Sequence, residues 1–241
     1  MSGMFRDTAY LHLPGADGDV AIAVPLTVVE PDGPTRGAIV VLHEARQFGE
    51  ALLELMSALA LEGWVTVAPH LFHREPEQMH GDIFGDNLFT DFDATLDWLT
   101  VRDVRVDTIG VLGFDAAGTA AMLVATSRPV GAAVSVAARG IVDALSVDAQ
   151  ALMEAAVSLQ APWLGLYGDD DPATPLEHVN QLREATAKAD VATLVVSYSG
   201  LAHRADEPPQ VPDGQDEDDP NTASIIDART RIFDWFDSNL R

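Results

Sequence analysis

The stretch TIGVLGFDAAGTAAMLVAT, residues 108–126, is the most informative part of the sequence. Its first half is apolar, which predicts a buried strand over 108–112. Its second half is rich in alanine and predicts a helix over 116–126. Small residues, including Gly113 and Gly118, stand on both sides of Asp115 and allow a chain to turn sharply between a strand and a helix. The stretch therefore predicts a strand, a tight turn that presents Asp115, and a helix.

The rest of the chain repeats this alternation of strand and helix. Buried strands are predicted at 37–42, 64–68, 132–137, 163–167 and 193–198, and helices at 48–62, 88–99 and about 222–240. Two short alternating segments, 9–13 and 19–27, predict an N-terminal hairpin around the turn 15–18. Thr174, followed by proline and then by Glu177, predicts a helix start with a capping box. This order predicts an α/β protein with a mostly parallel sheet covered by helices on both faces, in a single domain over 1–241.

The composition of the chain excludes several functional classes. Its formal net charge is -24 and it contains no cysteine. An acidic surface repels phosphate backbones and anionic membranes, so neither nucleic acid nor a membrane is expected as a partner. The lack of cysteine excludes disulfides, a thiolate nucleophile and zinc–thiolate sites. No basic stretch precedes an apolar run at the N-terminus and no segment has the length of a membrane span, so we expect a cytoplasmic protein; homo-oligomer formation stays open.

Two later residues are placed where they could form a catalytic triad with Asp115. Asp171 comes soon after the predicted strand 163–167, and His203 comes soon after the predicted strand 193–198. The order of nucleophile, acid and histidine along the chain is also the order used by hydrolytic triads on such sheets.

At this point the sequence resembles the dienelactone hydrolase family of the α/β-hydrolase superfamily. The matching segments are VVLHE (40–44), GWVTVAP (63–69), the turn around Asp115, LYGDDDP (166–172) and YSGLAH (198–203). They keep the family's order and spacing from about residue 37 to the C-terminus. The resemblance implies an α/β-hydrolase fold with a mostly parallel central sheet.

The resemblance also implies roles for individual residues. By position, the triad consists of Asp115, Asp171 and His203. The oxyanion hole is formed by the backbone N–H groups of Ala45 and Ala116. Glu44 takes the place of a family glutamate that lies beside the nucleophile in the substrate pocket.

Two departures from the family pattern limit what the resemblance implies. Family members carry cysteine, or sometimes serine, where this chain has Asp115. The family's arginine that binds a substrate carboxylate follows the histidine by a few residues, whereas here Arg204 is adjacent to the histidine and Asp206 and Glu207 follow. Dienelactone is therefore not expected as the substrate.

The carboxylate of Asp115 changes the chemistry that the site can perform. Attack on an ester carbonyl would give a mixed anhydride, from which the carboxylate leaves more readily than the alkoxide. A carboxylate does attack saturated carbon, and water activated by His203 can then hydrolyse the alkyl-enzyme ester. The sequence therefore predicts a hydrolase of a small molecule that works through Asp115, His203 and Asp171, with no cofactor and no metal.

Other interpretations of these residues stay open. Asp115 opens a helix, where aspartate is a favoured N-cap that benefits from the helix dipole. His203 between two aspartates could be an imidazolium in an ion network, which would be a poor base. The chain would then be a catalytically silent family member that serves as a binding or interaction protein. Glu44 either shares a proton with Asp115 or faces solvent.

Two acidic or histidine-rich segments could bind a metal. The first contains His70, His73, Glu75, His80 and Asp82, but this spacing matches no standard site and favours solvated loop histidines. The second is the acidic tract 216–219, which could hold calcium and is more typical of an exposed loop.

Overall fold

Strands and helices alternate along the chain in this computed structural model, which describes residues 3–14, 20–75, 82–203 and 220–240. The strands are β1 (Gly3–Leu13), β2 (Val20–Glu30), β3 (Gly37–Leu42), β4 (Trp64–Pro69), β5 (Ile109–Phe114), β6 (Ala132–Val136), β7 (Trp163–Gly168) and β8 (Thr193–Tyr198). The helices are α1 (Glu50–Leu61), α2 (Asp86–Thr100), α3 (Asp115–Ser127), α4 (Leu152–Ala155), α5 (Leu176–Thr186) and α6 (Pro220–Asn239), and short 3₁₀ turns lie at Val106–Thr108 and Ala156–Ser158.

The strands form one sheet in the order β1-β2-β4-β3-β5-β6-β7-β8. β2 pairs antiparallel with β1 and β4, and every other neighbouring pair is parallel. All six residues of β3 are buried, as expected for a parallel strand covered on both faces. Ile39 and Val41 pack on the face that α1 and α6 cover, and Val40 packs on the face of α2, α3, α4 and α5. The predicted fold class is confirmed, with the carboxyl ends of the parallel strands at one edge.

The N-terminal hairpin is longer than the sequence predicts. β1 pairs with β2 along its whole length, from Gly3 opposite Glu30 to Leu13 opposite Val20. The first residues of this edge strand are exposed, Met4 and Phe5 included, so they lack the alternation of a half-buried strand. The turn 15–18 and parts of the loops 70–87 and 207–221 lie outside the described residues.

The predicted capping box at Thr174 is wrong. The helix α5 begins at Leu176, its N-cap is Pro175, and no side chain caps it. The N–H of Thr174 instead donates to the carbonyl of Asp171 at 3.2 Å, which closes a turn before the helix. The Thr174 hydroxyl is buried without a hydrogen-bond partner among the described residues. The single domain over 1–241 stays a prediction.

Candidate active site

Asp115 occupies a sharp turn between β5 and α3. Its φ is +54°, in the left-handed region that aspartate tolerates better than most residues. A Cβ atom at Gly113 would lie 2.0 Å from the carbonyl oxygen of Ala117, so only glycine allows the first turn of α3 to fold back on β5. The structure therefore has the strand, turn and helix that the sequence predicts, with a buried Asp115 at the turn.

Asp171 and His203 lie at the ends of the neighbouring strands β7 and β8. A Cβ atom at Gly168 would lie 2.3 Å from the carbonyl oxygen of Leu201, so glycine allows the segment after β8 to cross the end of β7. The N–H of Asp170 donates to the same Leu201 carbonyl at 3.1 Å. These contacts hold the backbone on both sides of the Asp171–His203 pair.

The structure brings the side chains of Asp115, His203 and Asp171 into contact. Nδ1 of His203 lies 2.9 Å from Oδ2 of Asp171, and Nε2 lies 3.1 Å from Oδ1 of Asp115. The second oxygen of Asp171 accepts the N–H of Ala173 at 2.8 Å, which fixes the carboxylate. The Asp171 side chain is 2% exposed and that of His203 is 44% exposed. Each ring nitrogen thus faces a carboxylate, while solvent still reaches the ring.

Arg139 is part of this site, and the sequence argument missed it. It follows the end of β6, and its Nη2 donates to Oε1 of Glu44 at 3.0 Å. Its Nε lies 3.9 Å from Oδ1 of Asp115. Glu44 therefore pairs with Arg139. The sequence did contain a signal for this role. The chain has few cations, and Arg139 comes just after a buried strand, as the predicted triad residues do.

The two backbone amides of the predicted oxyanion hole have different surroundings. The N–H of Ala45 donates to Nδ1 of His43 at 2.9 Å, so the His43 ring occupies this donor. Ala116 lies in the first turn of α3, where backbone N–H groups have no acceptor within the helix. Its amide is therefore suited to an external acceptor, whereas Ala45 requires the His43 ring to turn away.

A cavity of about 890 Å³ opens beside this site. Its wall is made of residues from β1, β2 and the segments after β3 and β4: Arg6, Asp7, Thr8, Pro25, Leu26, Ala45, Arg46, Gln47, His70, Phe72, His73 and Glu75. Asp115 and His203 are not in the wall, and the cavity meets the predicted site at Ala45. Arg46 is held in place by Glu75 at 3.1 Å and lies over the ring of Phe72.

His70 lines the cavity and has neighbours typical of a half-buried histidine. Its Nε2 lies 3.0 Å from Oγ1 of Thr27, and its ring stacks on Phe48 with centroids 4.5 Å apart. Burial lowers the pKa of His70, and the positive charge of Arg6 lowers the pKa further.

The other histidine of the cavity belongs to a buried ion cluster. Asp91 of α2 is 1% exposed and accepts two hydrogen bonds from Arg74, at 2.9 and 2.5 Å. Nε2 of His73 lies 3.3 Å from the same carboxylate. The described residues contain no group of three or more His, Cys, Asp or Glu side chains that could hold a metal. His80 and the tract 216–219 lie outside the described residues.

A family model identifies the relatives of this chain. The model of the dienelactone hydrolase family matches residues 24–240. The chain belongs to the dienelactone hydrolase family. A relative named "Putative carboxymethylenebutenolidase" from Yersinia pestis is 26% identical over 230 residues, which cover 88% of this chain and 83% of that protein. A protein of the same name from Escherichia coli (strain K12) is 27% identical over 236 residues, which cover 92% and 83%.

Solved structures show the same fold. The crystal structure of a "Putative Dienelactone Hydrolase" from Klebsiella pneumoniae has a TM-score of 0.76 and 23% identity, and the match covers 98% of this chain and 99% of that chain. The dienelactone hydrolase from Anabaena variabilis has a TM-score of 0.69 and 18% identity, with 100% and 99% covered. The chain thus has the α/β-hydrolase fold, as predicted, and the family model places it in a family of hydrolases.

The resemblance in sequence places Asp115 where family members carry cysteine or serine. The positions after His203 at which the resemblance expects an arginine lie outside the described residues. Arg139 brings a guanidinium to Asp115 from a different strand end. None of the helices in the described part of the chain is both long and apolar enough to cross a membrane.

Proposed function

We propose that this member of the dienelactone hydrolase family hydrolyses a small molecule through covalent catalysis by Asp115. The observation that carries the proposal is the chain of contacts from Asp115 to His203 and from His203 to Asp171, at 3.1 and 2.9 Å. Asp115 sits on the turn that presents a nucleophile in this fold, and Asp171 orients the imidazole.

In the first step of the proposed reaction, the carboxylate of Asp115 attacks the substrate and becomes alkylated. One carboxylate oxygen attacks a saturated carbon, the bond from that carbon to the leaving group breaks, and the leaving group takes the electron pair. The product is an alkyl ester of Asp115. The same attack on an ester carbonyl would be unproductive, because the mixed anhydride returns the carboxylate more readily than it expels an alkoxide.

In the second step, water hydrolyses this ester with His203 as the base. Esterification removes the negative charge of Asp115 that faces Nε2, and Nε2 is then the ring atom next to the ester. Nε2 takes a proton from water, which attacks the ester carbonyl, and the ring returns the proton to the departing alcohol. Overall, substrate and water give an alcohol, a proton and the leaving group.

The surroundings of the triad supply the remaining parts of the proposal. The amide of Ala116 stabilises the oxyanion of the second step, and Ala45 joins it when the His43 ring turns away. Glu44 lies at the rim of the substrate pocket, paired with Arg139. The body of the substrate extends past Ala45 into the cavity of about 890 Å³.

The proposal is tested by trapping the ester. Wild-type protein and His203→Gln are incubated with a panel of small alkyl halides and epoxides, and the peptide that contains Asp115 is analysed by mass spectrometry. Because only the second step needs the base, the ester should accumulate in His203→Gln and remain scarce in wild type. In H₂¹⁸O, repeated turnover should place the isotope in the Asp115 carboxylate, since water attacks that carbonyl.

Two variants serve as matched controls. Asp115→Asn keeps a residue that tolerates positive φ and should form no adduct. Asp170→Asn changes an exposed carboxylate next to Asp171 and should react like wild type, whereas Asp171→Asn should slow turnover by about 10²-fold or more. If the whole panel leaves the Asp115 peptide unmodified in both wild type and His203→Gln, the proposal is wrong. The alternative of a catalytically silent binding protein, which the carboxylate at each ring nitrogen favours, would then replace it.

A further inference from the structure

Arg139 is held rigidly between two carboxylates of the site. Its carbonyl accepts a hydrogen bond from the buried Thr119 hydroxyl at 2.5 Å, which ties its backbone to α3. Ala137, two residues earlier, has a φ of +50°, so the chain turns sharply at the end of β6. The guanidinium then contacts Glu44 through Nη2, 3.0 Å from Oε1, and approaches Asp115 through Nε.

The Nε–H of Arg139 is an unused donor at the nucleophile. The Nε atom is buried and has no hydrogen-bond partner among the described residues. Its distance of 3.9 Å from Oδ1 of Asp115 is too long for a hydrogen bond. A buried charged donor without an acceptor is unfavourable, and such groups are retained where a ligand or a transition state supplies the acceptor.

We propose that the Nε–H of Arg139 binds the leaving group during the attack by Asp115, and that the substrates are neutral molecules whose leaving group departs as a stable anion. This inference rests on the proposed function. As the bond from carbon to leaving group breaks, negative charge moves onto the leaving atom, and the fixed N–H donates to it. The interaction is strong in the transition state and weak in the neutral substrate, which is the condition for faster chemistry.

The chemistry of arginine selects the class of leaving group. A guanidinium stays protonated in proteins, so it stabilises an anion but does not transfer a proton to it. Halides and sulfonates leave without a proton. The alkoxide formed by opening an epoxide needs one, and Arg139 does not supply it.

The charges around the site exclude anionic substrates. Glu44 already neutralises Arg139, and Asp115 and Asp171 add two further carboxylates. A substrate carboxylate would therefore enter a region with excess negative charge, in a chain with a formal net charge of -24. A neutral alkyl halide avoids this repulsion, and its halide becomes negative only as Asp115 loses its charge to the ester.

The test compares leaving groups in wild type and Arg139→Gln. The substrates are 1-bromobutane, 1-chlorobutane, 1,2-epoxybutane and 4-bromobutanoate, and rapid quenching separates the rate of alkylation of Asp115 from the rate of ester hydrolysis. Wild type should react with the two neutral halides and about 10²-fold more slowly with the epoxide and the anionic bromide. Arg139→Gln should slow alkylation by about 10²–10³-fold, more for chloride than for bromide, and leave ester hydrolysis unchanged.

Additional variants separate leaving-group binding from a structural role. Arg128→Gln removes an arginine that also pairs with an aspartate, Asp93, at the opposite end of α3, and it should behave like wild type. In Arg139→Ala, added guanidinium should restore part of the alkylation rate, which it would not do for a folding defect.

Three outcomes would overturn the inference while the proposed function stands. In the first, Arg139→Gln slows alkylation equally for the chloride and the bromide. In the second, Arg139→Gln slows only ester hydrolysis. In the third, wild type reacts with the epoxide as fast as with the chloride; the Asp115 ester still forms in all three. If neither these four substrates nor the wider panel of halides and epoxides modifies Asp115 in wild type or His203→Gln, the proposed function fails and the inference fails with it.

Discussion

Two buried aspartates at the same edge of the sheet differ in how their partners are satisfied. Asp91 has a guanidinium bound through both nitrogens and a histidine within 3.3 Å. Asp115 has the His203 ring at 3.1 Å and a guanidinium nitrogen that stops at 3.9 Å. A closed set of partners indicates that Asp91 stabilises the segment after β4. The unused donor beside Asp115 indicates a group that is arranged for an event other than folding.

The histidines beside these two aspartates also differ in their surroundings. His203 is 44% exposed and bridges two carboxylates, so solvent reaches its ring. His70 and His73 are fixed by Thr27, Phe48 and Asp91 in the wall of the cavity. The histidines that lie close in sequence to acidic residues thus pack in the cavity wall, whereas His203 contacts two aspartates that are distant in sequence.

The largest expected effect comes from replacing Asp115, the proposed nucleophile. Asp115→Cys should hydrolyse a simple activated ester at least about 10²-fold faster than wild type, because a thiol attacks carbonyl carbon and its thioester is hydrolysed by water. Hydrolysis of 4-nitrophenyl acetate measures the gain. The double variant with His203→Ala should lose it again. A folded Asp115→Cys with a titratable thiol and no esterase activity would show that the site lacks more than a carbonyl-attacking nucleophile.

The next effect is on stability and concerns Asp91. Asp91→Asn replaces the buried carboxylate that pairs with Arg74 by a neutral amide, and the charge of Arg74 then has no ionic partner at that position. The free energy of unfolding should therefore fall by about 2–3 kcal/mol. Asp93→Asn on the same helix breaks the more exposed pair with Arg128 and should cost less than about 1 kcal/mol. Urea unfolding of both variants provides the comparison. Equal losses would mean that burial does not set the strength of these pairs.

The smallest effect is the pH dependence that His70 contributes. The pKa of His70 is lowered in the folded state from its ordinary value of 6.5 by burial and by Arg6, so the folded state favours the neutral ring. Above pH 6.5 both states are neutral and the stability is complete; as the pH falls below 6.5, only the unfolded state gains a proton and stability is lost until the folded pKa is reached.

His70→Gln keeps a polar partner for Thr27 and should flatten this decrease by at most about 0.5 kcal/mol, because the ring is only half-buried and solvent weakens the effect. Urea unfolding at pH 7.5 and about pH 5 measures it. His12→Gln, on the exposed part of β1, is the control. A decrease that is steeper in His70→Gln than in wild type would contradict the sign of the pKa shift.

The sequence alone determined the fold and predicted that Asp115, Asp171 and His203 come together. Apolar runs such as 37–42 and 108–112 are buried on both faces of the sheet, and a strand of this kind is recognisable from local composition. Gly113 and Asp115 also carry their own conformational signals, because only glycine fits beside the Ala117 carbonyl and aspartate tolerates a positive φ better than most residues. Local chemistry was less reliable at Thr174, where a turn closed by Asp171 replaced the predicted cap.

The tertiary structure decided which charges meet. Arg139 is 24 residues from Asp115 and 95 residues from Glu44 along the chain, and only the pairing of β3, β5 and β6 brings the three together. The same holds for His73, which follows β4 and whose partner Asp91 belongs to the helix α2. Sequence patterns report which residues prefer burial or a turn, since these preferences are local. Ion pairs between distant segments depend on strand order and on the direction of single side chains, which the sheet fixes only once it has formed.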